Sequence, residues 1–201
     1  DEFVGVVQAL RAEHGREAMD PDRIRASVSN GARALVSLAL DIGEDHPGFE
    51  SKRLRLLELY SEVLGTTARP YPGIVPLLEA LEERGIRWGI ATNKPRAYTA
   101  PLLERLALRP RPGSVVCPED VRERKPHPES LYRNCRELDC APGEAIYVGD
   151  HLRDIEAGRR AGMYTIAAAY GYIEPDDDPR RWGASALATC STALPDLIGA
   201  F

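Results

Sequence analysis

The chain has 201 residues, enough for one α/β core together with a small helical domain. Its 26 basic and 31 acidic side chains leave a formal net charge of −5, and the nearest basic clusters, Arg122-Glu123-Arg124-Lys125 and Arg159-Arg160, are short, so a nucleic-acid partner is not expected. No apolar run is long enough to cross a bilayer and no signal peptide is visible, so no membrane partner is expected and the expected location is the cytoplasm.

The first segment is helical in pattern. Phe3, Val6, Val7 and Leu10 share a face that runs on towards Gly15. Pro21 suits the first turn of a second helix reaching Val28, Gly31 interrupts, and a third helix is predicted over Ala32–Leu40. A longer one is predicted over Phe49–Val63, with Leu54, Leu57 and Tyr60 on one face. Nothing before Thr67 reads as a strand. The pattern breaks at Arg69-Pro70-Tyr71-Pro72-Gly73, a hinge, which divides the chain into a helical domain over 1–69 and a second domain over 70–201.

From there helices and strands alternate. The predicted helices are Ile74–Glu83, Pro95–Leu106, Pro128–Leu138, His151–Ala161 and Ala193–Ile198. The predicted strands are Ile86–Thr92, buried, then Ser114–Cys117, Ala145–Val148, Tyr164–Ala168 and a short Ser185–Ala188. Alternation of this length gives βαβ units and a mostly parallel sheet, with chemistry at the carboxyl ends of the strands. The four cysteines, Cys117, Cys135, Cys140 and Cys190, form no close pair and are expected to be reduced and mostly buried, without a metal.

Three polar segments fall at one edge of that sheet. In Gly149-Asp150-His151-Leu152-Arg153-Asp154 an apolar strand ends on glycine, and two acids follow four residues apart. If a helix starts between them, both can face the strand end and offer hard oxygen ligands to Mg²⁺; the alternative is that Asp150 caps the helix. Lys125 is held between Arg124 and the stiff Pro126-His127-Pro128, and reads as a positioned cation for a phosphoryl group or as an exposed lysine beside a helix start. Thr92 and Asn93 end a strand, where hydroxyl and backbone N–H groups hold phosphate oxygens or cap the following helix. His14, His127 and His151, Trp88 and Trp182, and the run Asp176-Asp177-Asp178 read as local structural features, the last as a solvated turn.

Taken in order, Thr92-Asn93-Lys94, Lys125-Pro126-His127-Pro128 and Gly149-Asp150 with Asp154 resemble the second, third and fourth motifs of the haloacid dehalogenase superfamily. The segment before Tyr71-Pro72-Gly73 resembles its helical cap. Val28-Ser29-Asn30-Gly31-Ala32-Arg33-Ala34, Cys117-Pro118-Glu119-Asp120-Val121 and the stretch from Gly149 through Gly171-Tyr172-Ile173 to Trp182-Gly183-Ala184 are most similar to phosphoglycolate phosphatase-like enzymes, and within them to N-acetylmuramic acid 6-phosphate phosphatases.

The resemblance implies a Rossmann-like parallel sheet under a helical cap. It implies Mg²⁺-dependent hydrolysis of a small phosphorylated metabolite through an aspartyl-phosphate, by a monomer or homodimer. Thr92, Asn93 and Lys125 would bind phosphate, and Asp150 and Asp154 the metal. Lys125, Asp150 and Asp154 would serve catalysis, while Asn30, Gly31 and Arg33 of the cap would meet the substrate, Arg33 through a carboxylate. The family's first motif, Asp-x-Asp-Gly-Thr on a central first strand, has no counterpart here. Asp1 opens the first cap helix and is not the nucleophile, so the nucleophile is unknown and a preceding segment is expected to carry it. Phosphoglycolate hydrolysis, or a non-catalytic protein on the same fold, are the competing readings.

Overall fold

A computed structural model describes residues 2–174 and 176–199; Asp1, the residue set aside as nucleophile above, lies outside the described residues. The chain forms two compact units: Asp1–Arg69 with Glu174–Asp176, and Pro70–Ile173 with Asp177–Phe201.

The first unit is helical throughout: α1 (Glu2–Glu13), α2 (Pro21–Ser27), α3 (Gly31–Leu40) and α4 (Phe49–Val63). Asp20 caps α2, accepting the Asp22 N–H, with Pro21 at the first turn. Val6, Val7, Leu10, Ile24, Leu35, Val36, Leu40, Leu56 and Tyr60 are buried, and the Phe3 ring stacks on Tyr60 at 4.2 Å. The expected face of α4 is corrected. Its buried stripe is Phe49, Leu56 and Tyr60, spaced by seven and four. Leu54, two residues from Leu56 and hence nearly opposite on the helix, is 49% exposed. The carboxylate of Glu2 accepts the N–H groups of Thr67 and Ala68 at 3.0 and 3.1 Å, tying the start of the unit to residues 67–68.

The second unit alternates strands and helices: α5 (Ile74–Glu83), β1 (Gly89–Ala91), α6 (Arg96–Leu106), β2 (Ser114–Val116), α7 (Glu129–Leu138), β3 (Ile146–Gly149), α8 (Leu152–Ala161), β4 (Tyr164–Ala168), β5 (Ala186–Ala188) and α9 (Leu194–Gly199). All pairing is parallel. β1 pairs with β2 (Gly89↔Ser114), and β3-β4-β5 form a second ladder (Ile146↔Tyr164, Ile166↔Ala186). Among the described residues no ladder joins β1 to β3, so each has one unpaired edge, and Gly89 is exposed. The expected long buried strand from Ile86 is therefore corrected to three residues. Ile86 is spent on ending α5: Gly85 takes φ 69°, its N–H reaches Glu82 O at 2.9 Å, and the Ile86 N–H reaches Leu81 O at 2.8 Å. This two-bond helix terminator leaves Ile86 39% exposed outside the ladder.

Alternation along the strands sorts side chains onto two faces. Ile146, Val148 and Ile166 pack with Leu77, Leu78 and Leu81 of α5 and Leu194 of α9. Tyr147 turns the other way, against Leu131 and Cys135 of α7 and Ala157 and Ala161 of α8. All four cysteines are free; Cys117 and Cys135 are buried, Cys140 is half-buried and Cys190 is exposed. In the acidic run, Asp177 accepts the indole N–H of the buried Trp182 at 2.7 Å and Asp178 accepts the Arg180 N–H, so these two carboxylates also have structural partners.

Candidate active site

Helix α8 begins at Leu152, and its cap is His151, whose Nδ1 accepts the Arg153 N–H at 3.1 Å. Burial holds the His151 imidazole below its ordinary pKa, in keeping with a neutral acceptor nitrogen. The cap role is thus taken by His151, and Asp150 is left facing the end of β3. Its Oδ2 accepts the backbone N–H of Tyr172 at 3.3 Å. A side chain at Gly171 would meet the Asp150 Cβ at 2.3 Å, so the 170–172 loop approaches this close only because position 171 is glycine.

Asp154 lies one turn into α8, on the face shared with Ala157, Gly158 and Ala161, and is buried. A Cβ at Gly149 would meet its Cβ at 2.2 Å, so the glycine that closes β3 leaves the room Asp154 occupies. Its Oδ1 pairs with Lys125 Nζ at 2.7 Å, both side chains being less than a tenth exposed. Lys125 Nζ also donates to Ala91 O at the end of β1 (2.8 Å) and to the Tyr147 hydroxyl (2.7 Å). Burial alone would lower the Lys125 pKa, but Tyr147 and the Asp154 carboxylate outweigh it, raising it to about 12. Burial pushes the Tyr147 phenol up to about 12 as well, against the pull of the ammonium, so it stays a neutral hydroxyl.

The loop holding Lys125 is clamped by Asn93. The Asn93 amide donates to Lys125 O at 3.1 Å and its oxygen accepts the Lys125 N–H at 3.3 Å. Thr92 continues β1, its N–H bonded to Val116 O, and its hydroxyl accepts the Lys94 N–H at 3.0 Å, an acceptor role that leaves the hydroxyl proton to donate. Thr92, Asn93, Lys125 and Asp154 thus come together where β1 and β3 end, with Asp150 at the close of β3. Asn93 engages the lysine loop rather than pointing its amide into solution.

Two further groups join the site that the motifs did not single out. Tyr147 was readable as the polar residue inside the apolar run Ile146-Tyr147-Val148. The Gly171-Tyr172 turn, far along the chain, left only a glycine as a signal. Among the described residues no three His, Cys, Asp or Glu side chains gather into a metal cage. Mg²⁺ needs less, one or two carboxylates with water and phosphate oxygen completing its shell, and the hard oxygens of Asp150 and Asp154 fit that requirement.

In the helical unit, Asn30 and Gly31 lie at the turn into α3. The Asn30 amide donates to Glu174, and Gly31 has φ 83° with no atom near a Cβ added there. The Arg33 guanidinium pairs with Glu44 at 2.6 Å and Glu50 at 3.7 Å and lies over the Phe49 ring at 5.1 Å. His14 bonds back to Leu10 O at the end of α1, and His127 Nδ1 accepts the Glu129 N–H.

Residues 2–168 match the family model described as haloacid dehalogenase-like hydrolase. The chain is 42% identical over 98% of its length to an N-acetylmuramic acid 6-phosphate phosphatase of Pseudomonas aeruginosa, covering 87% of that protein. It is 35% identical over 92% of its length to a phosphoglycolate phosphatase of Xanthomonas campestris pv. campestris, covering 84% of it. Its fold resembles the crystal structure of a predicted phosphoglycolate phosphatase from Haemophilus somnus, with a TM-score of 0.84 at 21% identity over 98% of this chain and 90% of that one. No helix among the described residues is long and apolar enough to cross a membrane. With the match running through the helical unit, the Lys125 loop and the Asp150–Asp154 turn, this chain belongs to the haloacid dehalogenase-like hydrolase family.

Proposed function

We propose that the protein hydrolyses a small sugar phosphate, N-acetylmuramic acid 6-phosphate, with the aid of Mg²⁺ and through an aspartyl-phosphate. The observation that carries the phosphoryl chemistry is the buried ammonium of Lys125 at the ends of β1 and β3, beside the Thr92 turn and the Asp150–Asp154 pair. Thr92 donates its hydroxyl, with backbone N–H groups near Asn93, to phosphoryl oxygens. Lys125 neutralises charge that grows on the phosphoryl group, in a setting where the carboxylate and two neutral oxygens already orient it. Asp154 holds Lys125 and, with Asp150, would hold Mg²⁺. The ion, when bound, supplies Lewis-acid neutralisation of phosphate charge. The attacking carboxylate is not assigned, since no Asp-x-Asp-Gly-Thr segment occurs in these residues.

The choice of substrate rests on the greater identity to the sugar-phosphate enzyme, 42% against 35%. Phosphoglycolate is the second reading, favoured by the several relatives of that name. Asn30, Gly31 and Arg33 are proposed to meet the part of the substrate away from the phosphate. The test is turnover of both compounds by the full-length protein, wild type and Asp150→Asn, with Mg²⁺ and in excess chelator. The proposal expects kcat/KM to favour the sugar phosphate, and both chelator and substitution to abolish turnover. Full activity in chelator, or in Asp150→Asn, refutes the metal role; a preference for phosphoglycolate refutes the substrate.

A further inference from the structure

The Lys125 ammonium has three N–H donors and three acceptors around it: Ala91 O, Tyr147 Oη and Asp154 Oδ1, at 2.8, 2.7 and 2.7 Å. Two of these are fixed by other demands. Ala91 O belongs to the backbone at the end of β1, and Asp154 is locked under Gly149 on the first turn of α8. The third is a neutral hydroxyl on a strand whose other side chains are aliphatic. Its oxygen lies 3.3 Å from Ala91 O and 3.4 Å from Asp154 Oδ1, so the hydroxyl touches every other member of the cradle and can donate its own proton to either while accepting from Nζ. Hydrophobic packing alone does not call for this group. A phenylalanine at 147 would fill the same space against Leu131, Ala157 and Ala161.

We propose that Tyr147 is a positioning residue for phosphoryl transfer: its hydroxyl fixes the third direction of the Lys125 ammonium, so that the charge sits where the transferring group needs it. This rests on the phosphatase reading of the site given above. An ammonium held by only a carbonyl and a carboxylate keeps its charge but gains a direction in which to lean. A group that acts by placement alone then costs turnover rather than substrate binding. The contribution runs through Lys125, so it should vanish when the ammonium is absent.

The experiment is a double-mutant cycle in the full-length protein on N-acetylmuramic acid 6-phosphate and phosphoglycolate, crossing Tyr147→Phe with Lys125→Met. Urea unfolding of each variant, followed by tryptophan fluorescence, sets conditions in which all are folded; Lys125→Gln replaces Lys125→Met if the latter does not fold. Tyr147→Phe is expected to lower kcat by about tenfold with KM changed by less than about twofold, and to have an effect below about twofold where Lys125 is already lost. The same factor in both backgrounds means that Tyr147 acts independently of Lys125 and overturns the proposal. So does an unchanged kcat, or a loss carried by KM alone. A wild-type protein that turns over neither compound nor an aryl phosphate removes the phosphatase reading and the positioning role with it. An active wild type with an additive cycle removes the positioning role alone.

Discussion

Lys125→Ala should both unfold the core domain more easily and lower turnover by about a hundredfold or more, because the structure makes this lysine half of a buried ion pair. Its side chain is 8% exposed and that of Asp154 is 9%. Removing the ammonium strands a buried carboxylate that keeps the Tyr147 hydroxyl, at 3.4 Å, as a partner. Breaking a buried pair from one side costs about 3–5 kcal/mol, most of it the penalty of the abandoned charge. For a chain of this size that is a fall of about 6–20 °C in Tm. The raised Lys125 pKa agrees in direction. Its native surroundings favour the charged form, so its contribution is fully present below the ordinary 10.5 and is lost only as pH rises through about 12. Titration of Lys125 itself should therefore add no slope to the stability difference between pH 6 and 9. Trp88 and Trp182, the two tryptophans of the chain, both lie in the unit that carries the pair, so their fluorescence in urea reports it. The companion variant Lys125→Met/Asp154→Leu replaces both charges by apolar groups and should regain most of the lost stability without regaining turnover. A Lys125→Ala protein with the wild-type urea midpoint would show that the pair is not buried in solution, and a double variant no more stable than the single would refute the stranded-charge account.

Two further outcomes follow from the helical unit. Glu2 is opposed by burial but held below the usual carboxylate range by the N–H groups of Thr67, Gly65 and Ala68; its contribution is present above pH 4.5 and lost as pH falls through the lower native value, so Glu2→Gln should reduce stability at neutral pH and flatten the acid side of the urea-midpoint profile. The Arg33 fork is occupied by Glu44 and Glu50 on an exposed face, so Arg33→Met should leave Tm nearly unchanged; if a substrate carboxylate takes the place of one glutamate, kcat/KM falls for N-acetylmuramic acid 6-phosphate and phosphoglycolate but not for an aryl phosphate, and equal values on all three would remove Arg33 from substrate recognition.

The amino-acid sequence by itself determined the order and type of nearly every element, because each carries a local signal: Asp20-Pro21 opens α2, Gly85 closes α5, and the apolar runs Ile146–Val148 and Tyr164–Ala168 are bounded by turns. It also placed Thr92 and Asp150 at strand ends, since a polar residue just after an apolar run is visible in one dimension. What it left open was which of two roles each would take. Asp150 read equally as helix cap or ligand, and only the fold gave the cap to His151 and brought the Gly171-Tyr172 turn against Asp150. Lys125 read as exposed or positioned; its burial depends on Ala91, Tyr147 and Asp154, which lie 34, 22 and 29 residues away along the chain, and no local pattern encodes a meeting at that separation. The same holds for the faces of α4 and the shortness of β1. Periodicity says that a side chain repeats, but which side of a helix is buried, and how far a strand is paired, depend on the neighbour that covers it.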